Sequence, residues 1–123
     1  MSAPVGYSDV DLSITPATKL QFIGYCKVNA FYVFNHKTSI RYLQIFDLGR
    51  APVLGTDKPT WQFGISGGAV INQGAPPASA TFEAGLKCVN GFAWAITTAA
   101  GTTAAVENTP GDVDGTVDWE LRP

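Results

Sequence analysis

Residues 19–65 read KLQFIGYCKVNAFYVFNHKTSIRYLQIFDLGRAPVLGTDKPTWQFGI. Within this stretch, KLQFIGYC, AFYVFN, IRYLQIFD and PTWQFGI are short runs rich in aromatic and β-branched side chains, broken by Gly, Asn, Asp and Pro. Side chains of that kind fit the pleated, half-buried surface of a sheet, so the stretch predicts four strands, at 19–26, 30–35, 40–46 and 60–65. Carried toward the C-terminus, the same reading predicts strands at 69–72, 79–89 (with a break at Gly85), 92–98 and 115–121. The last is the cleanest. Val117, Trp119 and Leu121 fall on one face and Thr116, Asp118 and Glu120 on the other, the period of a strand packed on one side and wet on the other. Phe92, Trp94 and Ile96 repeat the pattern with small partners, Ala93, Ala95 and Thr97, a second face that another surface can approach closely.

No segment has helical spacing. Turn signals recur at Asn35-His36-Lys37, Asp47-Leu48-Gly49, Gly55-Thr56-Asp57, Gly67-Gly68, Pro76-Pro77, Asn90-Gly91, Pro110-Gly111 and Asp114-Gly115. Asn90-Gly91, between Cys88 and Phe92, predicts a two-residue hairpin, because both central positions of a type I′ turn need φ > 0. About eight strands at intervals of roughly ten residues predict an all-β fold, an antiparallel β-sandwich of jelly-roll-like type. Residues 1–18 are expected as an extended N-terminal arm or edge strand, since Val10, Leu12 and Ile14 alternate with Asp11 and Ser13. Residues 19–123 form the single sandwich domain, and TTAAGTTAAVENTP at 97–110 is expected as a long exposed loop.

Hydrophobic residues make up 46% of the 123 and charged residues 15%, below the roughly 25% usual for soluble domains. Low charge with abundant Gly and Ala fits either a small β protein or one whose surface is partly covered by another protein. Net charge is −2, but it is unevenly spread. Residues 19–58 hold six bases against Asp47 and Asp57, and residues 107–123 hold five acids against Arg122. The net charge predicts no nucleic-acid partner, and its distribution suggests pairing of acidic ends with a basic middle between subunits. MSAPVGYSDVDL has neither a basic n-region nor an apolar h-region, and no apolar run is long enough to span a bilayer. Production in a cytoplasm, with use there or assembly there into something larger and no membrane partner, is the expectation.

No constellation of residues signals catalysis. His36, the single histidine, sits in a predicted turn with no nucleophile signature nearby, so hydrolase chemistry is not expected. Asp112-Val113-Asp114-Gly115 superficially resembles a calcium loop, but Gly falls at position four and no Glu closes the loop, so a turn feeding an edge strand is expected instead. Gly64, Gly67, Gly68 and Gly74 match no phosphate-binding order. Cys26 and Cys88 lack CxxC spacing and have no His-rich neighbourhood, which speaks against zinc and redox catalysis. They read as buried thiols, and the spacing leaves a disulfide between them open. The expectation is no catalytic residue, no metal and no cofactor. Of the aromatic residues between Tyr25 and Phe63, alternation sends about half inward and leaves Tyr32 and Tyr42 for a partner or a sugar ring.

Phe31-Tyr32-Val33-Phe34-Asn35, Tyr42-Leu43-Gln44-Ile45-Phe46-Asp47, the run from Pro52 to Pro59, Phe63-Gly64-Ile65 with Gly67-Gly68-Ala69, and Ala95-Ile96-Thr97-Thr98-Ala99-Ala100-Gly101-Thr102-Thr103 follow one another in this order. The series resembles a family of small tailed-bacteriophage proteins, in which FYVxN, YLQxF, xLGTxxP, GIPAGG and AxTTxxGsT recur in that order. Here Ser66 stands where the family carries proline. The resemblance implies a virion structural protein of β-sandwich type without catalytic residues. Combined with the low charge and the extended arm, it leads us to expect a capsid decoration (cement) protein on the outer head surface, assembled in the host cytoplasm. The expected partners are the major capsid protein and further copies of the chain, as a dimer or trimer. The contacts would be made by Val5, Tyr7, Val10, Leu12 and Ile14 of the arm, the 97–110 loop, and Tyr32 and Tyr42. A receptor- or glycan-binding module of a tail or baseplate is the alternative.

Overall fold

The computed structural model describes residues 8–11, 18–67, 78–102 and 113–121. Among them the chain forms eight strands: β1 (Ser8–Asp11), β2 (Thr18–Ile23), β3 (Cys26–Asn35), β4 (Arg41–Phe46), β5 (Trp61–Ile65), β6 (Ala78–Cys88), β7 (Gly91–Thr97) and β8 (Val113–Leu121). They make an all-β sandwich of two four-stranded antiparallel sheets, ordered β1-β8-β3-β6 and β2-β7-β4-β5. The pairing is nested. β4 pairs with β5, β3 with β6, β2 with β7 and β1 with β8, so each pair encloses the previous one along the chain. The β3–β8 and β4–β7 pairings then join these ribbons into sheets. Among the described strands, only β4 and β5 are neighbours both in sequence and in a sheet; every other connection passes from one sheet to the other.

That topology corrects three expectations. The run 19–26 is two strands, not one. It breaks at Gly24, whose φ of 120° is costly for a side chain and whose N–H donates to the carbonyl of Asn90 at 3.0 Å. Asn90-Gly91 does not close a hairpin, because β6 pairs with β3 while β7 pairs with β2 and β4 in the opposite sheet. Gly91 is needed there for space: a Cβ would collide with the carbonyl oxygens of Leu48 and Phe22. Finally, β8 is not an edge strand, since it lies between β1 and β3. Gly85, expected to break the sixth strand, is accommodated at φ 76° within a continuous β6, where the register against β3 slips between Val28 and Ala30. The candidate strand at 69–72 lies outside the described residues.

The inner faces meet in one core. Val28, Phe31 and Val33 of β3 pack with Leu43 and Ile45 of β4, Phe92, Trp94 and Ile96 of β7, and Val117 and Trp119 of β8. Ring pairs such as Phe22–Trp119 at 5.2 Å and Phe31–Phe63 at 4.9 Å fill it from the sides. Each large side chain buried here contributes about 1.5–3 kcal/mol, so the core gives the body its rigidity. β7 is buried along its whole length. The small outer face of Ala93 and Ala95 does admit a second surface, and that surface belongs to the chain itself: Leu20, Phe46, Leu48 and Leu54 pack against it.

Candidate interaction surface

Among the described residues, the chemistry-bearing side chains do not converge. His36 stacks on Phe34, with ring centroids 4.6 Å apart. Among the described residues no three His, Cys, Asp or Glu side chains gather in a way that could hold a metal ion. A bidentate ion pair closes a loop: Arg50 donates to both carboxylate oxygens of Asp57 at 2.6 and 2.8 Å, and Val53 N–H donates to Oδ2 at 2.7 Å. Those bonds, Arg50 first, hold the Asp57 carboxyl down at about 2. The pair braces the β4–β5 connection that covers Ala93 and Ala95. Lys27 meets Glu120 at 2.9 Å across β3 and β8, so part of the basic middle is satisfied by the acidic end of the same chain.

Four large hydrophobic side chains are exposed together at the surface. Ile23 is 65% exposed, Tyr25 59%, Val89 53% and Leu121 41%. Register places all four at one end of the sandwich: Cys26 lies opposite both Leu121 and Cys88, Tyr25 precedes Cys26, Val89 follows Cys88, and Ile23 pairs with Gly91. Leu121, the last residue of β8, keeps the phase of Val117 and Trp119, as alternation predicts, but stays exposed at the end of its strand.

The turns that carry these side chains are held firmly. Asp47 Oδ1 accepts hydrogen bonds from the backbone N–H groups of Val89 (3.0 Å), Asn90 (2.7 Å) and Gly91 (3.3 Å). The Gly24–Asn90 bond ties the β2–β3 turn to the same segment. A rigid, apolar surface of this kind loses little conformational entropy when a partner covers it.

The residues expected from sequence are more dispersed. Tyr32 projects from the outer face of the first sheet, 56% exposed, between Ser79 of β6 and Thr116 of β8. Tyr42 is half-buried on β4, beside Gly64 of β5 and Thr97 of β7 in the second sheet. The two tyrosines therefore stand on different sheets and make no common platform. Val10 lies in β1, registered against Val117; Val5, Tyr7, Leu12 and Ile14 lie outside the described residues. Of the 97–110 loop, residues 97–102 are described: Thr97 is the buried end of β7, and the turn beyond it is anchored. Gln44 Nε2 donates to the Gly101 carbonyl at 2.9 Å, and Gly101 N–H donates to Gln62 Oε1 at 2.8 Å. Sequence reasoning passed over Ile23, Val89 and Leu121 because each continues the pattern of a buried strand; the only signal is their position beside a turn or at the end of a strand. No family model, curated protein or solved structure matches the chain.

Proposed function

We propose that the chain is a jelly-roll decoration protein, which binds the outer surface of a tailed-phage capsid through its major capsid protein and strengthens the head. The jelly-roll reading is supported by the nested pairing, in which one long antiparallel ribbon, turned at β4–β5, wraps into two facing sheets. The observation that carries the binding reading is the apolar end. Ile23, Tyr25, Val89 and Leu121 are exposed together at one end of the sandwich, where Asp47 fixes the 89–91 segment, which suits cover by a partner rather than by water. Cement of this kind needs a stiff body and a complementary contact area repeated by symmetry, with no pocket and no reaction. Self-association as a dimer or trimer fits the same surface.

Quantitative mass spectrometry of purified particles tests the proposal. Hundreds of copies, in simple ratio to the major capsid protein, are the expected result. A dozen or fewer moves the protein to the tail, and absence from particles ends the reading. An arm contribution is tested by deleting residues 2–7 alone, because a cut through residue 14 also removes β1 from the edge of its sheet. Particle binding should fall while the thermal midpoint holds.

Tyr32 favours a second reading, a glycan-binding module of a tail or baseplate. An exposed ring between Ser79 and Thr116 is suited to stack on a sugar, with hydroxyls beside it. Trp94 and Trp119 are buried and Trp61 is half-buried in the opposite sheet, so native fluorescence is a poor reporter of contact at Tyr32. A Tyr32→Trp variant places the reporter on the face. Quenching by oligosaccharides supports the module, and an unchanged spectrum supports cement.

A further inference from the structure

We propose that Cys26 and Cys88 form a cross-strand dithiol that closes to an intramolecular disulfide, locking β3 to β6. They are the chain's two cysteines, so no third thiol competes for either. They are direct register partners on adjacent antiparallel strands. Both are fully buried, and both belong to the core cluster, so their side chains leave the sheet on the same face. Opposed residues in an antiparallel pair have Cα atoms roughly 4.5–5.5 Å apart, inside the 4.4–6.8 Å range of disulfides. Register alone therefore puts the two backbones within the span a disulfide bridges.

Position in the fold supplies a route for the oxidant. Cys26 is the first residue of β3 and Cys88 the last of β6, next to the 24–25 and 89–90 turns. Strand ends open locally more often than strand centres, and the opening here must also release the Asp47 clamp on residues 89–91. The oxidant is a small-molecule disulfide of the glutathione class. One thiolate attacks it, forming a mixed disulfide and releasing one reduced small thiol. The second cysteine thiolate then attacks the protein sulfur of that mixed disulfide, forming the Cys26–Cys88 bond and releasing the second small thiol. Two protein thiols are oxidised, one small disulfide is reduced to two thiols, and the protons are conserved between them.

The bond would tie the two strands that flank the apolar end, holding Tyr25 and Val89 in fixed relation. It would also close a loop containing β3, β4, β5 and most of β6 in the unfolded chain, which raises the thermal midpoint. This inference stands whether or not the protein is found on capsids.

The test treats the intact protein with oxidised glutathione and counts thiols after denaturation. Expected are complete loss of both thiols, a mass lower by two hydrogen atoms, a single cross-linked peptide joining Cys26 to Cys88, and a midpoint that rises and returns on reduction. Retention of both thiols under conditions that fully oxidise the denatured chain overturns the proposal, as do stable glutathione adducts or links between chains. Cys26→Ala and Cys88→Ala should each abolish the midpoint rise. Should a variant fail to fold, the thiol count and peptide map of the unaltered protein still decide.

Discussion

Three backbone amides, those of Val89, Asn90 and Gly91, converge on Asp47 Oδ1 at 2.7–3.3 Å, so one carboxylate from the β4–β5 connection fixes the crossing from β6 to β7. Removing an acceptor of charged hydrogen bonds costs about 1–3 kcal/mol. Asp47→Ala should therefore lower unfolding stability by about that amount in urea titration, and Asp47→Asn by less, because one oxygen remains. A wild-type midpoint for Asp47→Ala would show that the crossing does not depend on this clamp. Glycine supplies a second contrast. Gly115 (φ 125°) and Gly24 (φ 120°) both sit where side chains are strained, but they differ in space. A Cβ at Gly115 would collide with the Tyr32 carbonyl and lie 2.7 Å from Val33 Cα, whereas at Gly24 the nearest atom is a ring carbon 3.5 Å away. Gly24→Ala should cost about 1–3 kcal/mol of strain, and Gly115→Ala should cost that plus a shift of β8 against β3. Equal losses in chemical denaturation would contradict the steric account.

The connection between β4 and β5 makes the outer face of β7 a second core, and its brace is titratable. Asp57 is held at about 2 against an ordinary 3.8 by its bonds to Arg50 and Val53. A carboxyl whose folded pKa lies below its unfolded value contributes stability in full above the unfolded value, and that contribution is lost as pH falls through the folded one. The 50–57 loop should thus stay closed down to about pH 4 and loosen between there and about pH 2. The Val53 amide shift, followed by NMR, should titrate with a midpoint near 2, and Arg50→Ala should move that midpoint upward; an Asp57 midpoint near 3.8 would mean the brace is not formed. This element also marks how far sequence carries. The individual strands were legible because alternation is local: Thr116 to Leu121 reads directly as one dry face and one wet face. Their partners were not, because Asn90-Gly91 has the same composition whether it closes a hairpin or turns the chain into the opposite sheet. The small face of Ala93 and Ala95 announced close approach, but composition alone does not say that the approaching group is Leu48 or Leu54 of the same chain.

The fold leaves its two outer surfaces in different states, and this separates the two functional readings by experiment. The first sheet presents Tyr32 singly, flanked by the small polar residues Ser79 and Thr116. The end of the sandwich presents Ile23, Tyr25, Val89 and Leu121 together. Substitution of exposed side chains away from caps and networks usually shifts stability by no more than about 0.5 kcal/mol. Ile23→Ser combined with Val89→Ser should therefore leave the thermal midpoint nearly unchanged, because neither side chain is in the core cluster and the Asp47 clamp uses the backbone of Val89, not its side chain. In a cement protein the same pair of changes removes apolar area from the centre of the contact, and truncation of such anchors costs about 2 kcal/mol or more, a loss of over roughly tenfold in particle affinity. Tyr32→Ser should then leave particle binding intact. In a glycan-binding module the pattern reverses, because the apolar end is then remote from the sugar and Tyr32 carries the stacking. Co-sedimentation of each variant with particles lacking the protein, read beside its melting curve, distinguishes the two outcomes. Equal binding by both variants would place the contact elsewhere, with the segment 1–7 the next surface to test.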